Sequence, residues 1–152
     1  MSYSKQFSVK NLRENQPFVK SLEPVLALRL KQIQKRFERY KNAHSSENLH
    51  KLRIAFRRFR YTLELYCNCI KPKAFKKIYE KATQLQELTG FRRDLDVMRL
   101  KLEELYAKSE FQIPFEVLSS IEAEQKRFED QILVALDDFF SDPPLRKIVK
   151  LD

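Results

Sequence analysis

Residues 48–66, NLHKLRIAFRRFRYTLELY, decide the fold of this chain. The stretch contains no Gly or Pro, and its apolar residues recur at steps of three and four, so it predicts an amphipathic helix. At about 100° per residue, one face about 80° wide carries the apolar side chains of Leu49, Leu52, Phe56, Phe59 and Leu63. A neighbouring arc, also about 80° wide, carries His50, Arg53, Arg57 and Arg60. The pattern predicts a helix that buries one side and presents a basic row beside it.

The composition around this helix indicates an all-α protein of one domain. The chain has 152 residues, 43% of them hydrophobic, and a single Gly, and a length of this order suits one domain with a core. We expect an antiparallel helical bundle of about five helices, because the connections between the periodic segments are short. The expected organisation is a flexible N-terminal arm at residues 1–15, a helical domain at 16–145 and a C-terminal tail at 146–152.

The periodic segments predict where the helices lie. Apolar spacing places them at residues 17–42, 48–66, 73–89, 92–108 and 115–140. Ser46 is the expected N-cap of the central helix, and Gly90 the expected C′ residue between the third and fourth helices. Leu95, Met98, Leu102 and Leu105 are expected to form the core face of the fourth helix.

The charge is strongly asymmetric. The net charge is +9, and residues 49–82 alone hold ten Lys or Arg against two Asp or Glu. A second basic row, Lys73, Lys77 and Lys81, repeats every four residues on the third helix. Such a distribution predicts a polyanionic partner, which is nucleic acid, polyphosphate or an anionic membrane surface. No apolar run reaches the roughly 20 residues of a membrane span, and the polar N-terminus lacks a signal peptide, so we expect a cytoplasmic protein.

Guanidinium groups suit such a partner, because they bind phosphate oxygens through two hydrogen bonds and stay charged at physiological pH. Arg53, Arg57 and Arg60 extend over about 10 Å of helix, enough for several phosphates of a linear polymer. Glu64, one turn after Arg60, is expected to hold Arg57 or Arg60 in place. The alternative interpretation is a solvated basic face that binds nothing.

Catalysis has little support in the sequence. There is no Walker loop, no HExxH pair, and only His44 and His50 as histidines. Asp94 and Asp96 could hold a divalent cation, but acidic residues in a first helical turn more often complement the helix dipole. We therefore expect no enzyme activity, no cofactor and no metal.

Two motifs in the chain resemble those of the CHAD domain family (conserved histidine α-helical domains). The first is similar to H-x-x-R-[VI]-x-x-[RK]-[RK]-x-R and reads His50, Arg53, Ile54, Arg57, Arg58 and Arg60. The second is similar to G-x-x-R-D-x-D-V and reads Gly90, Arg93, Asp94, Asp96 and Val97. The order of the two motifs, with a lysine-bearing helix between them, also fits the family.

The resemblance implies an all-α fold that binds inorganic polyphosphate, often at polyphosphate granules. Carried over residue by residue, the polyphosphate-binding set is His50, Arg53, Arg57, Arg58 and Arg60, with Arg93, Lys73, Lys77 and Lys81 as additions. Glu64 and Asp94 are the expected supporting residues. A nucleic-acid-binding helical protein that uses the same basic groove is the alternative, although no zinc-finger, zipper or RNP-type module is present.

One departure from the family bears on the assembly. Members of the family usually contain two helical bundles, each with a basic helix lining a shared positive cleft, whereas this chain has one His/Arg helix. We therefore expect a homodimer in which a second copy of the chain supplies the other bundle.

Overall fold

A computed structural model describes residues 9, 12, 13 and 15–149 of the chain. The expected flexible arm, residues 1–15, lies almost wholly outside the described residues, as do residues 150–152 of the expected tail. The described part contains five α-helices and no strand: α1 Leu22–Asn42, α2 Ser46–Leu65, α3 Pro72–Tyr106, α4 Phe115–Phe140 and α5 Pro143–Val149. The predicted all-α class is confirmed.

The N-cap of α2 lies one residue earlier than predicted. The side chain of Ser45, not Ser46, accepts a hydrogen bond from the Asn48 backbone N–H at 3.1 Å and so caps the helix. Ser46 is already the first helical residue. The prediction of Ser46 as N-cap was wrong because Ser45 and Ser46 are adjacent and sequence alone does not distinguish them.

The predicted break at Gly90 is wrong, because α3 runs without interruption for 35 residues. The two predicted helices at 73–89 and 92–108 are therefore one, and the fifth α-helix of the described chain is the short α5 after Pro143. Gly90 is a helical residue whose missing side chain leaves room for a neighbour: a Cβ atom there would lie 3.3 Å from Arg53 Nε. The glycine serves close packing and not helix termination.

The four long helices pack antiparallel to their chain neighbours. Arg29 of α1 bonds Thr62 of α2 near the end of α2, whereas Asn48 at its start bonds the carbonyl of Arg39. The same reversal relates α2 to α3. It also relates α3 to α4, because Lys81 bonds the carbonyl of Asp138 whereas Asp96, farther along α3, bonds Gln125, nearer the start of α4. The result is an up-down-up-down bundle, as the short connections predict.

The core lies where the apolar face of α2 meets the other helices. The five predicted face residues of α2 are all fully or almost fully buried, from Leu49 to Leu63. The rings of Phe56 and Phe59 each meet Phe139 of α4 edge to face, with centroids 5.6 Å and 5.5 Å apart. Helix α5 closes one end through Leu145, which is also fully buried, so α5 continues across the predicted domain boundary at residue 145.

The C-terminal third of α3 is less buried than the sequence predicted. Met98 is 51% exposed and Leu105 is 68% exposed, so these two residues do not belong to a core face. The reason is length: at 1.5 Å per residue α3 extends about 53 Å and α2 about 30 Å, so α3 continues beyond the start of α2. Within the described residues, no helix is both long and apolar enough to cross a bilayer.

Replacing Phe56 by Ala tests the role of α2 in the core. The ring is fully buried, so its loss is expected to lower the free energy of unfolding by about 3–5 kcal/mol. Tyr61→Ala is the matched control, since Tyr61 is 55% exposed on the same helix and its loss is expected to cost about 0.5 kcal/mol or less. Urea unfolding of both variants measures the difference. Equal effects of the two changes would contradict this account of the core.

Candidate anion-binding site

The basic side chains of α2 that the sequence placed on one arc lie along its seam with α3. Three contacts fix the register: Arg93 donates to the Ser46 carbonyl at 3.3 Å, Arg53 lies against Gly90, and Tyr79 donates to Glu64 at 2.7 Å. Residue numbers rise along α2 as they fall along α3, so the seam is continuous from one end of α2 to the other. We call its cationic members the α2–α3 basic row: His50, Arg53, Arg57, Arg60 and Arg93.

Arg53 occupies the middle of the row. Its Nε lies 3.3 Å from where a Cβ atom at position 90 would be, is buried, and has no hydrogen-bond partner. A pocket of about 180 Å³ opens beside it, lined also by Gln86 and by two acidic residues, Glu87 and Asp94. A buried guanidinium donor without an acceptor is uncommon in proteins, since most buried polar atoms are paired. The pocket therefore offers an unpaired donor to an anion.

His50 lies at one end of the row and is electrostatically coupled to it. Partial burial and the positive charges of Arg93, Arg53 and Arg57 lower the pKa of His50 below its ordinary value of 6.5. The imidazole is therefore neutral near pH 7 and can donate a hydrogen bond without adding charge. Its Nδ1 is buried and also lacks a partner. That three arginines act on one histidine shows that the row is a region of positive potential.

At the other end, Arg60 is held by two groups. Glu64 Oε1 lies 3.6 Å from Arg60 Nε, and the Arg60 guanidinium lies over the Tyr79 ring at 5.3 Å. Tyr79 also donates to Glu64, and this hydrogen bond, followed by burial, raises the pKa of Tyr79. Glu64 thus orients Arg60, one of the two arginines that the sequence assigned to it. Tyr79 is a positioning residue that the sequence analysis missed, because nothing in its spacing marks it as a partner of Glu64.

Two neutral side chains of α3 add to the seam. Thr83 Oγ1 and Gln86 Oε1 are buried without hydrogen-bond partners. Thr83 lies two turns before Gly90, on the same face of α3 that meets α2. Sequence reasoning did not find these residues, since a threonine or glutamine in a helix carries no signal of its own.

Arg58 does not belong to the row. At 100° per residue it lies about 140° around α2 from Arg53, on the flank that faces α1. There it lines a pocket with Arg36 and Lys51, and its charge acts on Arg29. The sequence motif therefore supplies arginines to both flanks of α2.

The lysine row of α3 is not part of the basic row either. Lys81 lies about 180° around α3 from Gly90, on the side of α4 and α5. Its Nζ lies 2.8 Å from Asp138 and 3.2 Å from Asp142, and Lys77 Nζ lies 2.8 Å from Asp142. Burial penalises the charged Asp142, but the hydrogen bonds from Lys77 and Lys81 outweigh it and lower its pKa. Lys73 lines a third pocket, beside Lys147. The structure therefore does not bring the predicted lysines to the arginines of α2.

The predicted roles of Asp94 and Asp96 in a first helical turn are wrong, because both lie well inside α3. Their side chains point about 160° apart and do not converge on one ion. Asp96 accepts from Gln125 at 2.9 Å and pairs with the buried Arg92, which also bonds Glu129 at 2.9 Å. This cluster joins α3 to α4. Asp94 is exposed and lines the Arg53 pocket, where its charge lies near the basic row.

Comparison with known proteins identifies a family. The model of the CHAD domain family matches residues 24–145, which is most of the chain and includes all of α2, α3 and α4. No curated protein and no solved structure matches the chain.

Replacing Asp142 by Asn tests the structural role of the α3 lysines. The Asp142 side chain is only 1% exposed, so losing its charge is expected to lower the free energy of unfolding at pH 7 by about 1–3 kcal/mol. Because the folded pKa of Asp142 lies below its unfolded value, its contribution is present above about pH 4 and is lost as pH falls through the folded value. The difference from wild type should therefore shrink in acid.

The matched control for that measurement is Asp138→Asn. Asp138 pairs with Lys81 but is 63% exposed, so its charge is expected to contribute less than about 1 kcal/mol at any pH. Urea unfolding of both variants between about pH 2.5 and about pH 7 measures the difference. If Asp142→Asn keeps the stability and acid response of the wild type, the two lysines are not held by Asp142 in solution.

Proposed function

This chain belongs to the CHAD domain family, and on that premise we propose that it binds inorganic polyphosphate, without catalysis, along the α2–α3 basic row. The observation that carries the proposal is a set of buried side-chain nitrogens without hydrogen-bond partners, of which only Arg60 Nε has a carboxylate among the described residues, Glu64, within 4 Å. Arg53 Nε, Arg60 Nε and His50 Nδ1 are all buried and lack hydrogen-bond partners. Oxygen atoms of a bound phosphate chain would supply acceptors to such a row, and each charge-assisted bond is stronger than a neutral one.

The shape of the row suits a linear anion. Arg53, Arg57 and Arg60 follow one another along about 10 Å of α2, and Arg93 joins them from α3. Among the described residues, no ion pair involves Arg53, Arg57 or Arg93, and only Arg60 has a carboxylate, Glu64. A repeating anion can therefore contact several guanidinium groups in succession without first displacing a salt bridge.

Two features support binding and not hydrolysis as the function. Asp96, which with Asp94 was the candidate for holding a divalent cation, already pairs with Arg92 and Gln125. Burial and the charges of Arg93, Arg53 and Arg57 lower the pKa of His50, so the ring carries no extra proton to give to a leaving group at neutral pH. The proposed role is that of a polyphosphate-binding protein in the cytoplasm, located at polyphosphate granules.

A fluorescent fusion tests this location. A signal that stays diffuse in cells containing such granules would contradict it.

We also propose that the chain acts as a homodimer. The part of α3 beyond the start of α2 exposes Val97, Met98 and Leu105 beside a groove of about 390 Å³. Phe115, at the start of α4 and hence at the same end of the bundle, is 77% exposed. Clustered apolar side chains of this kind favour a protein partner, and a second copy would bring a second basic helix to the assembly.

The site is tested by the double change Arg53→Gln and Arg57→Gln. Loss of two phosphate contacts is expected to weaken polyphosphate binding at least about tenfold. The slope of log affinity against log salt concentration should also fall in magnitude by about 2, since each lost contact lowers it by about 1. Arg99→Gln with Arg127→Gln removes the same charge from surface ion pairs elsewhere and is the control. Fluorescence titration at several salt concentrations measures both. Unchanged affinity in the Arg53/Arg57 variant would contradict the site.

The same titration separates polyphosphate from nucleic acid as the ligand. Single-stranded RNA and duplex DNA are added as competitors at equal phosphate concentration. The salt concentration is held fixed, because the binding of polyphosphate and the binding of nucleic acid both weaken as salt rises. We expect polyphosphate to remain bound. Displacement by either nucleic acid would favour the nucleic-acid-binding function.

The dimer is tested by Met98→Glu combined with Leu105→Glu. Two charges placed in an apolar interface are expected to convert the dimer to a monomer. Size-exclusion chromatography with light scattering, at tens of micromolar protein, measures the mass. Val134→Glu is the control, since Val134 is 71% exposed on α4 but does not line the α3 groove. A wild-type monomer, with and without polyphosphate, would refute the homodimer.

A further inference from the structure

A second cationic pocket lies on the opposite flank of α2, between α1 and α2. Its volume is about 200 Å³, and Arg36 and Gln32 from α1 line it together with Lys51 and Arg58 from α2. Arg58 is about 140° around α2 from Arg53, so this pocket does not share its side chains with the α2–α3 basic row. We call it the α1–α2 pocket.

The cations of the α1–α2 pocket are short of counter-charge. Among the described residues, no ion pair involves Arg36 or Arg58, and Lys51 is the one member with a carboxylate partner, Glu47, which is exposed. Burial and then the charge of Arg58 lower the pKa of the neighbouring Arg29. Arg29 finds neutral acceptors only, Thr62 Oγ1 at 3.2 Å and Gln32 Oε1 at 3.1 Å. The fold thus holds Arg29 and Arg58 close together, and no ion pair among the described residues gives either of them a carboxylate.

The pocket also presents hydrogen-bond donors of the right kind. The guanidinium groups of Arg36 and Arg58 offer planar pairs of N–H donors, which match two oxygens of a phosphate group. Gln32 accepts from Arg29 through Oε1, so its amide NH₂ is left to donate. An anion bound here would offset the positive charge of Arg58 that already acts on Arg29.

We propose that the α1–α2 pocket is a second phosphate-binding site. The inference rests on the proposed function and extends it: a long polyphosphate held by the α2–α3 basic row continues across the exposed side of α2 and places further phosphate groups in the α1–α2 pocket. A short phosphate oligomer, which is too short to cross α2, occupies the two sites separately. Because one long chain links two sites on one helix, we expect it to bind more tightly than a short oligomer.

The test compares three double variants that each remove two positive charges. Arg36→Gln with Arg58→Gln changes the α1–α2 pocket, Arg53→Gln with Arg57→Gln changes the basic row, and Arg99→Gln with Arg127→Gln is the control. Thermal unfolding first confirms that each variant is folded. Long-chain polyphosphate and tripolyphosphate are the two probes, and isothermal titration calorimetry gives affinity and stoichiometry.

For the wild type we expect two tripolyphosphate molecules per chain, and one in the Arg36/Arg58 variant. That variant should bind long-chain polyphosphate about tenfold more weakly than the control variant does. If its stoichiometry stays at two, or its long-chain affinity equals that of the control, the second site is refuted while the basic row stands. If the wild type does not bind long-chain polyphosphate, the proposed function fails and this inference fails with it.

Discussion

The burial of one side of α2 is the constraint on which the rest of the structure depends. Helix α2 lies between α1 and α3, and its rings Phe56 and Phe59 reach Phe139 of α4, so a single helix contacts three others. Because the apolar side chains from Leu49 to Leu63 are buried, α2 cannot rotate about its axis without exposing them. The fixed rotation of α2 in turn sets the direction of its basic side chains. Those of the α2–α3 basic row face α3, and Arg58 faces α1.

This arrangement holds like charges together, and the core offsets the cost. Arg53 lies close to Gly90, where a Cβ atom would be 3.3 Å from its Nε, and a glycine inside a helix costs about 0.5–1 kcal/mol relative to alanine. The lowered pKa values of His50 and Arg29 reflect burial and the same repulsion. Residues that break local rules without a structural gain are expected at functional sites. An anion that neutralises these charges would bind the folded state alone and so stabilise it.

Much of the fold could be predicted from sequence, because α2 and α4 have regular apolar spacing and no internal breaker. The end of α4 at Phe140 follows from Pro143 and Pro144, and its predicted bounds are confirmed. The predicted break at Gly90 was wrong, because a glycine in a helical sequence can either end the helix or let a neighbouring side chain pack close to the backbone. Only the residue that packs against the glycine distinguishes the two cases. That partner, Arg53, is 37 residues away in the chain, beyond the reach of local patterns.

The same limit explains why two rows of basic residues with equal sequence periodicity have different surroundings. The row on α2 and the lysine row on α3 both repeat at helical spacing, and both looked available to an anion. Asp142, which is 61 residues from Lys81 in the chain, is buried and forms ion pairs with both Lys81 and Lys77. No carboxylate among the described residues does the same for Arg53 or Arg57. What distinguishes a candidate anion site from a structural salt bridge is therefore the counter-charge that the fold brings opposite, and this depends on tertiary packing alone.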